Sequence, residues 1–188
     1  TTVPITVTST TINGTFADIN TVYAAGAAGT ITGLGNEAIT VTGSLTVAQA
    51  NVVAAQTTGV VTATISHGDM ATLANLASEI NANANAYSIT VADTTVAAVN
   101  LTNLDAKTTV TVNASAVTTI TGTAAEINSV YAAGTAGTIT GLGNETIVIS
   151  DTTLAAATLN AINGYTTSLV TATAATTITG LVADVNTA

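Results

Sequence analysis

Apolar positions along this chain alternate with small polar ones in short bursts. β-branched residues recur with period two at Ile5/Val7, Ile39/Val41, Val61/Ala63, Ile89/Val91, Val110/Val112, Ile147/Ile149 and Val170/Ala172. That period sends side chains alternately to the two faces of a strand, so seven strands are predicted. They begin 34, 22, 28, 21, 37 and 23 residues apart, shorter and longer intervals alternating. Between them the period lengthens towards 3.6. Asp151 precedes Ala155, Leu159 and Ile162, with Gly164 at the stop; Asp93 precedes Ala97, Leu101 and Leu104; Ser44 precedes Ala48, Val52 and Ala55. Asp and Ser are favoured helix N-caps because their side-chain oxygens accept the free N–H groups of the first turn. Thr123 and Glu126 have the spacing of a capping box. The helix they open carries Ala124, Ile127 and Tyr131 on one face and is expected to end at Gly134.

The pattern repeats. Residues 10–37 read TTINGTFADINTVYAAGAAGTITGLGNE, and residues 118–145 read TTITGTAAEINSVYAAGTAGTITGLGNE. A third copy starts at Thr176 and runs to Ala188. Strand and helix in alternation imply parallel strands, since each helix returns the chain to the same end. The expected fold is a right-handed α/β solenoid, with a stacked parallel sheet on one side and short helices on the other. An all-β parallel helix, in which the Thr-rich returns are further strands, is the alternative. The chain is read as one array with units near 5–60, 61–109 and 110–169 and a partial unit at 170–188. Its start, Thr1-Thr2-Val3-Pro4, has neither the basic nor the apolar region of a signal peptide, and the third copy stops short of the other two. The expectation is a mature chain or a piece of a longer array, continued by further repeats or by copies of itself stacked end to end.

Composition narrows the function. Of 188 residues, 44 are Thr and 37 are Ala, while charged residues make up 6%, against roughly 25% in ordinary soluble domains. Lys107 is the only Lys or Arg, and the net charge is −9. One cation cannot neutralise a run of phosphates, so nucleic acid and anionic membrane surfaces are not expected partners. Polar residues interrupt every apolar stretch long before the ~18 residues of a membrane span, so membrane insertion is not expected either. With no Cys, the chain has no thiolate ligand, thiol nucleophile or disulfide.

The stretches ASAVTTITGTAAEINSVYAAG, GLGNE and SDTTLAAATLNAI resemble the Thr/Ala-rich tandem repeats of giant secreted and cell-surface proteins of marine bacteria, cyanobacteria especially. The resemblance covers nearly the whole chain. It implies an extracellular protein with a role in adhesion, a surface coat or motility. Several members of that group carry calcium-binding GGxGxD nonapeptides. None is present here, so calcium has no motif and no cofactor is expected.

Four sets of residues could carry chemistry. Ser66-His67-Gly68-Asp69 places a nucleophile, a base and an acid side by side, but a triad needs groups converging from separate segments; a loop with Asp69 as N-cap for a helix around Leu73 and Leu76 is expected. Gly33-Leu34-Gly35-Asn36-Glu37-Ala38 fits GxGxxA, yet it precedes a strand pattern rather than a helix, and so reads as a turn. The acidic residues Asp18, Glu37, Asp69, Glu79, Asp93, Asp105, Glu126, Glu145, Asp151 and Asp184 mostly recur with the repeat, which points to capping and solvation, with weak calcium coordination between neighbouring coils as the other reading. Asn13, Asn100, Asn113 and Asn144 lie in N-x-[ST] sequons, which a chain this rich in Thr produces by chance. Finally, Thr6, Thr40, Thr62, Thr90, Thr111 and Thr171, followed two residues on by Thr8, Thr42, Thr64 and Thr173, fall on outward strand positions. The expected function is a non-enzymatic structural segment: an adhesin stalk, a surface-layer element or a filament element. The alternative is a binding module whose flat Thr face recognises ice or a polysaccharide.

Overall fold

The computed structural model describes residues 3–77 and 85–185. Glu79 and the final residues of the third copy lie outside them. The fold is mixed α/β, built from parallel sheets and short helices, and the chain divides into two compact units.

The first unit comprises Thr1–Thr90 with Lys107–Val110. Its order is β1 (Ile5–Thr6), β2 (Thr11–Gly14), α1 (Phe16–Ala27), β3 (Ile31–Thr32), β4 (Ala38–Leu45), α2 (Val47–Ala54), β5 (Val61–Ile65), α3 (Met70–Leu73) and β6 (Ala86–Ser88). Strands β2, β4, β5 and β6 form one parallel sheet, and β1 pairs with β3. Period-two alternation sorts the residues. Ile12, Ile39 and Val61 share an inward row, whereas Asn13, Thr40, Thr62 and Ala86 share an outward one. Ile39, Val61, Leu73 and Ala50 are fully buried.

The second unit comprises Val91–Ala106 and Thr111–Ala188. It contains β7 (Thr95–Ala97), α4 (Ala98–Asp105), β8 (Val112–Asn113), β9 (Thr119–Gly122), α5 (Ala124–Ala136), β10 (Ile139–Thr140), β11 (Thr146–Ile149), β12 (Thr153–Ala155), α6 (Ala156–Asn163), β13 (Val170–Thr171), β14 (Thr177–Thr179) and α7 (Val182–Val185). Here β7, β9, β11 and β13 form a parallel sheet, with β8–β10 and β12–β14 as separate parallel pairs. Val96, Ile120, Ile147 and Val170 line up across the larger sheet. Helix α5 packs between α4 and α6, closing a core of Ile127, Val130, Leu101 and Ile162.

Several expectations change. The Ile39 and Val61 strands are direct neighbours, as are those at Ile147 and Val170. Ile5, however, pairs with Ile31 rather than Ile39, and the other neighbours of Ile39 and Ile147 are Ile12 and Ile120. The strand expected from Val110 begins at Val112; at Ile89/Val91 both side chains are buried and Thr90 forms a single bridge, the Val91 N–H donating to the Asn113 carbonyl at 2.9 Å, while a separate strand precedes it at Ala86–Ser88. A single continuous sheet does not form. Apart from β4, with eight residues, and β5, with five, the strands are two to four residues long; glycine turns and a register shift between Thr40 and Ser44 leave several short ladders instead. Gly33 shows why such turns need glycine. Its φ is +85°, and a Cβ there would sit 2.4 Å from the Val7 carbonyl oxygen, in a region side chains avoid.

The returns are helical. Helix α5 opens with the Thr123–Glu126 capping box. It runs past Gly134 to Ala136, where Gly137 closes it in the left-handed conformation (φ +80°). The same box recurs at Thr15–Asp18 and, with Gln in the acidic place, at Thr46–Gln49. Ser44 is therefore not the cap of α2; it lies in β4. The buried face of α2 is Val47, Ala50 and Val53, while Val52 is exposed. Helices α4 and α6 start after Ala97 and Ala155 with no side-chain cap, so Asp93 and Asp151 do not cap them.

Candidate functional site

The duplicated 28-residue block builds the same local arrangement in each unit. In the first, α1 and the turn after β3 enclose Glu37, which is fully buried. Its Oε2 accepts hydrogen bonds from the Tyr23 hydroxyl (2.8 Å) and the Gly35 N–H (2.8 Å). In the second, α5 and the turn after β10 enclose Glu145, also fully buried, whose Oε2 accepts from the Tyr131 hydroxyl (2.7 Å) and the Gly143 N–H (2.9 Å). In both, a threonine hydroxyl, Thr57 or Thr166, donates to the glutamate's own carbonyl at 2.6 Å. The Leu of each Gly-Leu-Gly turn lies against a helical glycine: a Cβ on Gly26 would meet Leu34 Cδ1 at 2.9 Å, and one on Gly134 would meet Leu142 Cδ1 at 3.1 Å. The carboxylate thus fastens the turn to the helix.

Electrostatics fix the roles. Burial works to raise the Glu37 carboxyl, but the hydrogen bonds from Gly35 and Tyr23 outweigh it and hold the group below its ordinary value. Burial, reinforced by the neighbouring carboxylate, pushes the Tyr23 and Tyr131 hydroxyls well above the usual tyrosine range. Each tyrosine hydroxyl is the proton donor in its bond to the carboxylate. The other oxygen of each carboxylate, Oε1, has no hydrogen-bond partner. Beside each latch lies a surface pocket, of about 380 Å³ next to Tyr23 and about 330 Å³ next to Tyr131. Gln56 lines the first, and its amide donates to Asn20 Oδ1 at 3.0 Å. Tyr165 takes its place in the second, stacking on Tyr131 with ring centroids 4.8 Å apart.

Sequence reasoning assigned Glu37 and Glu145 to capping and solvation. That is corrected here: both are internal. The readable signal was a Tyr and a Glu 14 residues apart in both copies of the block. Other acids do cap: the Asp18 carboxylate accepts the Thr15 N–H at 3.1 Å and the Glu126 carboxylate the Thr123 N–H at 2.8 Å, closing their boxes, and Asp69 accepts the Thr72 N–H at 2.8 Å. Asp151 caps a different helix from the one expected, accepting the Ala124 N–H at the start of α5 (2.7 Å). Asp105 accepts from the Thr138 hydroxyl (2.8 Å).

The Ser66–Asp69 cluster is spoken for by backbone contacts. Ser66 donates to the Leu45 carbonyl at 3.0 Å, and His67 Nδ1 accepts the Val47 N–H at 3.3 Å. His67 follows Ser66 after β5 as Asp151 follows Ser150 after β11, and each caps the first N–H of a helix. The single lysine, Lys107, donates to the Ala74 and Leu76 carbonyls beyond α3, which suits a cation at a helix C-terminus. Gly33–Ala38 is a turn entering β4, with Gly33 and Gly35 at positive φ. Among the described residues no three His, Cys, Asp or Glu are grouped to hold a metal ion. None of the described helices is long and apolar enough to cross a membrane.

The outward threonines are scattered among several ladders. Thr6 pairs with Thr32, their hydroxyls 3.3 Å apart. Thr40 neighbours Thr62, whose other neighbour is Ala86. Thr64 lies beside Ser44, because the register shift takes Thr42 out of line. Thr171 lies beside Val148. Thr111 donates to the Gly137 carbonyl at 2.9 Å. Thr8, Thr90 and Thr173 are exposed but belong to no row with the others. The register also forms an outward row that sequence reasoning missed, Thr95, Thr119 and Thr146. No family model, curated protein or solved structure matches the chain.

Proposed function

We propose that this chain is a non-enzymatic structural repeat segment of an extracellular surface protein, serving as an adhesin stalk, a surface-layer element or a filament element. Its repeats wind as a right-handed α/β solenoid. The observation that carries the reading is the duplicated latch: the only buried carboxylates among the described residues recur with the sequence block and are spent on holding a turn to a helix. Groups that recur with every repeat and contact backbone belong to architecture. The parallel strands, each bonded to strands of adjacent repeat segments, support the same conclusion. An antibody raised against the segment, applied to intact and to permeabilised source cells, tests the location. Labelling of intact cells is expected; labelling only after permeabilisation would overturn the surface assignment.

The alternative, a Thr face for ice or polysaccharide, draws on the Thr95–Thr119–Thr146 row. The next row, Ala97, Thr121, Val148 and Thr171, interrupts it with apolar side chains. Inhibition of ice recrystallisation, lost in Thr119→Leu, would favour that reading over the structural one.

A further inference from the structure

We propose that His67 is an acid-sensitive fastener between neighbouring repeat segments: neutral, it holds the start of α2, and protonated, it releases that helix and turns to Asp69. Two helices receive a cap from a segment that follows them. The first N–H of α5, on Ala124, donates to Asp151 Oδ2 at 2.7 Å, from 27 residues away. The first N–H of α2, on Val47, donates to His67 Nδ1 at 3.3 Å, from 20 residues away. The two helices otherwise start alike. The boxes Thr123–Glu126 and Thr46–Gln49 close on themselves, and the next N–H is met by the side chain from the later segment.

The difference is chemical. A carboxylate remains an acceptor through mildly acidic pH, whereas an imidazole titrates there. Neutral imidazole offers one acceptor nitrogen; once protonated, both nitrogens donate. A protonated Nδ1 would face the Val47 N–H donor to donor, and its positive charge would stand at the positive end of α2. Nothing on the packed elements offsets that charge: β4, β5, α2 and α3 carry no charged or titratable side chain. The charge that faces His67 is on its own loop. Asp69 is exposed, and its carboxyl is held below its ordinary value chiefly by Thr72 and, more weakly, by His67. The imidazolium thus has an attractive partner two residues on, away from α2. His67 itself is only half-buried, so its ring exchanges protons with water. Loosening would begin at Val47, which is both the capped residue and part of the buried face of α2. Helix α5, capped by a carboxylate, would not follow.

The chain supplies its own control. It has a single histidine, so the ring signals in an NMR spectrum report the protonation of His67 alone. Amide hydrogen exchange of Val47 and Ala124 is measured in the same sample from about pH 7.5 to about pH 5.5, across the imidazole titration. Each rate is expressed as protection relative to the unfolded chain. The protection of Val47 should fall about fivefold as the ring titrates, the usual worth of a cap, while that of Ala124 stays constant. In His67→Asp, Val47 should keep its protection over the whole range, as Ala124 does. His67→Asn, which offers an uncharged carbonyl acceptor, should behave in the same way and serves if the aspartate variant does not fold. Constant protection at Val47 while the His67 ring titrates would overturn the proposal. So would an equal fall at Val47 in the folded Asp or Asn variant, because the acid response would then lie elsewhere.

Discussion

Replacing Tyr131 with Phe removes one oxygen from a buried site and nothing else. That oxygen donates at 2.7 Å to Glu145, a carboxylate with no exposed surface, whose only other donor is the Gly143 N–H at 2.9 Å. The ring itself stays packed on Tyr165. A hydrogen bond to a charged group contributes about 1.5–3 kcal/mol, and the partner here cannot turn to water instead. We expect a loss of about 2 kcal/mol. At roughly 2–4 °C per kcal/mol for a chain of this size, the melting temperature should fall by about 4–8 °C. Urea unfolding followed by circular dichroism gives the free energy directly. Glu145→Gln completes a double-mutant cycle, in which the coupling between the two positions should be about 1–2 kcal/mol. A coupling near zero, with Tyr131→Phe melting like the parent, would refute the claim that the carboxylate depends on this hydroxyl.

The same logic yields further expectations. Because the Glu37 carboxyl is held below its ordinary value of 4.5, its stabilisation is complete above that pH and is lost as pH falls through the lowered value; Glu37→Gln should flatten the acid limb of a stability–pH curve without abolishing it, since Asp18 and Asp69 are lowered too, and an unchanged limb would count against the assignment. His67→Asp should preserve stability by supplying the cap that Asp151 gives its own helix, whereas His67→Ala should cost about 1 kcal/mol; equal losses in both, read by thermal melting, would contradict the capping role. Gly33→Ala should be far more damaging than Gly29→Ala, although both sit at positive φ (+85° and +72°), because only Gly33 faces a carbonyl oxygen and Gly29 faces open space; similar melting temperatures for the two variants would show that the backbone conformation alone sets the cost.

Much of the helical part was legible because capping is local. Thr123 and Glu126 are three residues apart and bond to each other's backbone, so sequence spacing determines the outcome. Strands of two to four residues with one apolar side chain each, such as Thr11–Gly14 and Ile31–Thr32, fall below the length at which alternation separates from background, and pairing partners were misassigned as a result. The face of α2 was misread for a related reason. Val47, Ala48, Ala50, Val52, Val53 and Ala54 leave few polar residues to mark the outside, so only the packing against β4 and β5 decides. Asp151 bonding to Ala124, 27 residues away, depends on how repeat segments stack. Glu37 and Glu145 were hidden by their chemistry, since a carboxylate in an acidic chain is ordinarily a surface group.

Lys107 has a bearing on the lifetime of the chain. Proteases that cut after basic residues find a single recognition side chain in 188 residues, and its ammonium group is already bound to the carbonyls of Ala74 and Leu76. To enter a protease's specificity pocket, that side chain must first give up both contacts and the local structure beyond α3, so cleavage follows the rate of local opening. A segment with so few charges therefore withholds nearly every substrate site from trypsin-like digestion, and the one remaining site is guarded by the fold.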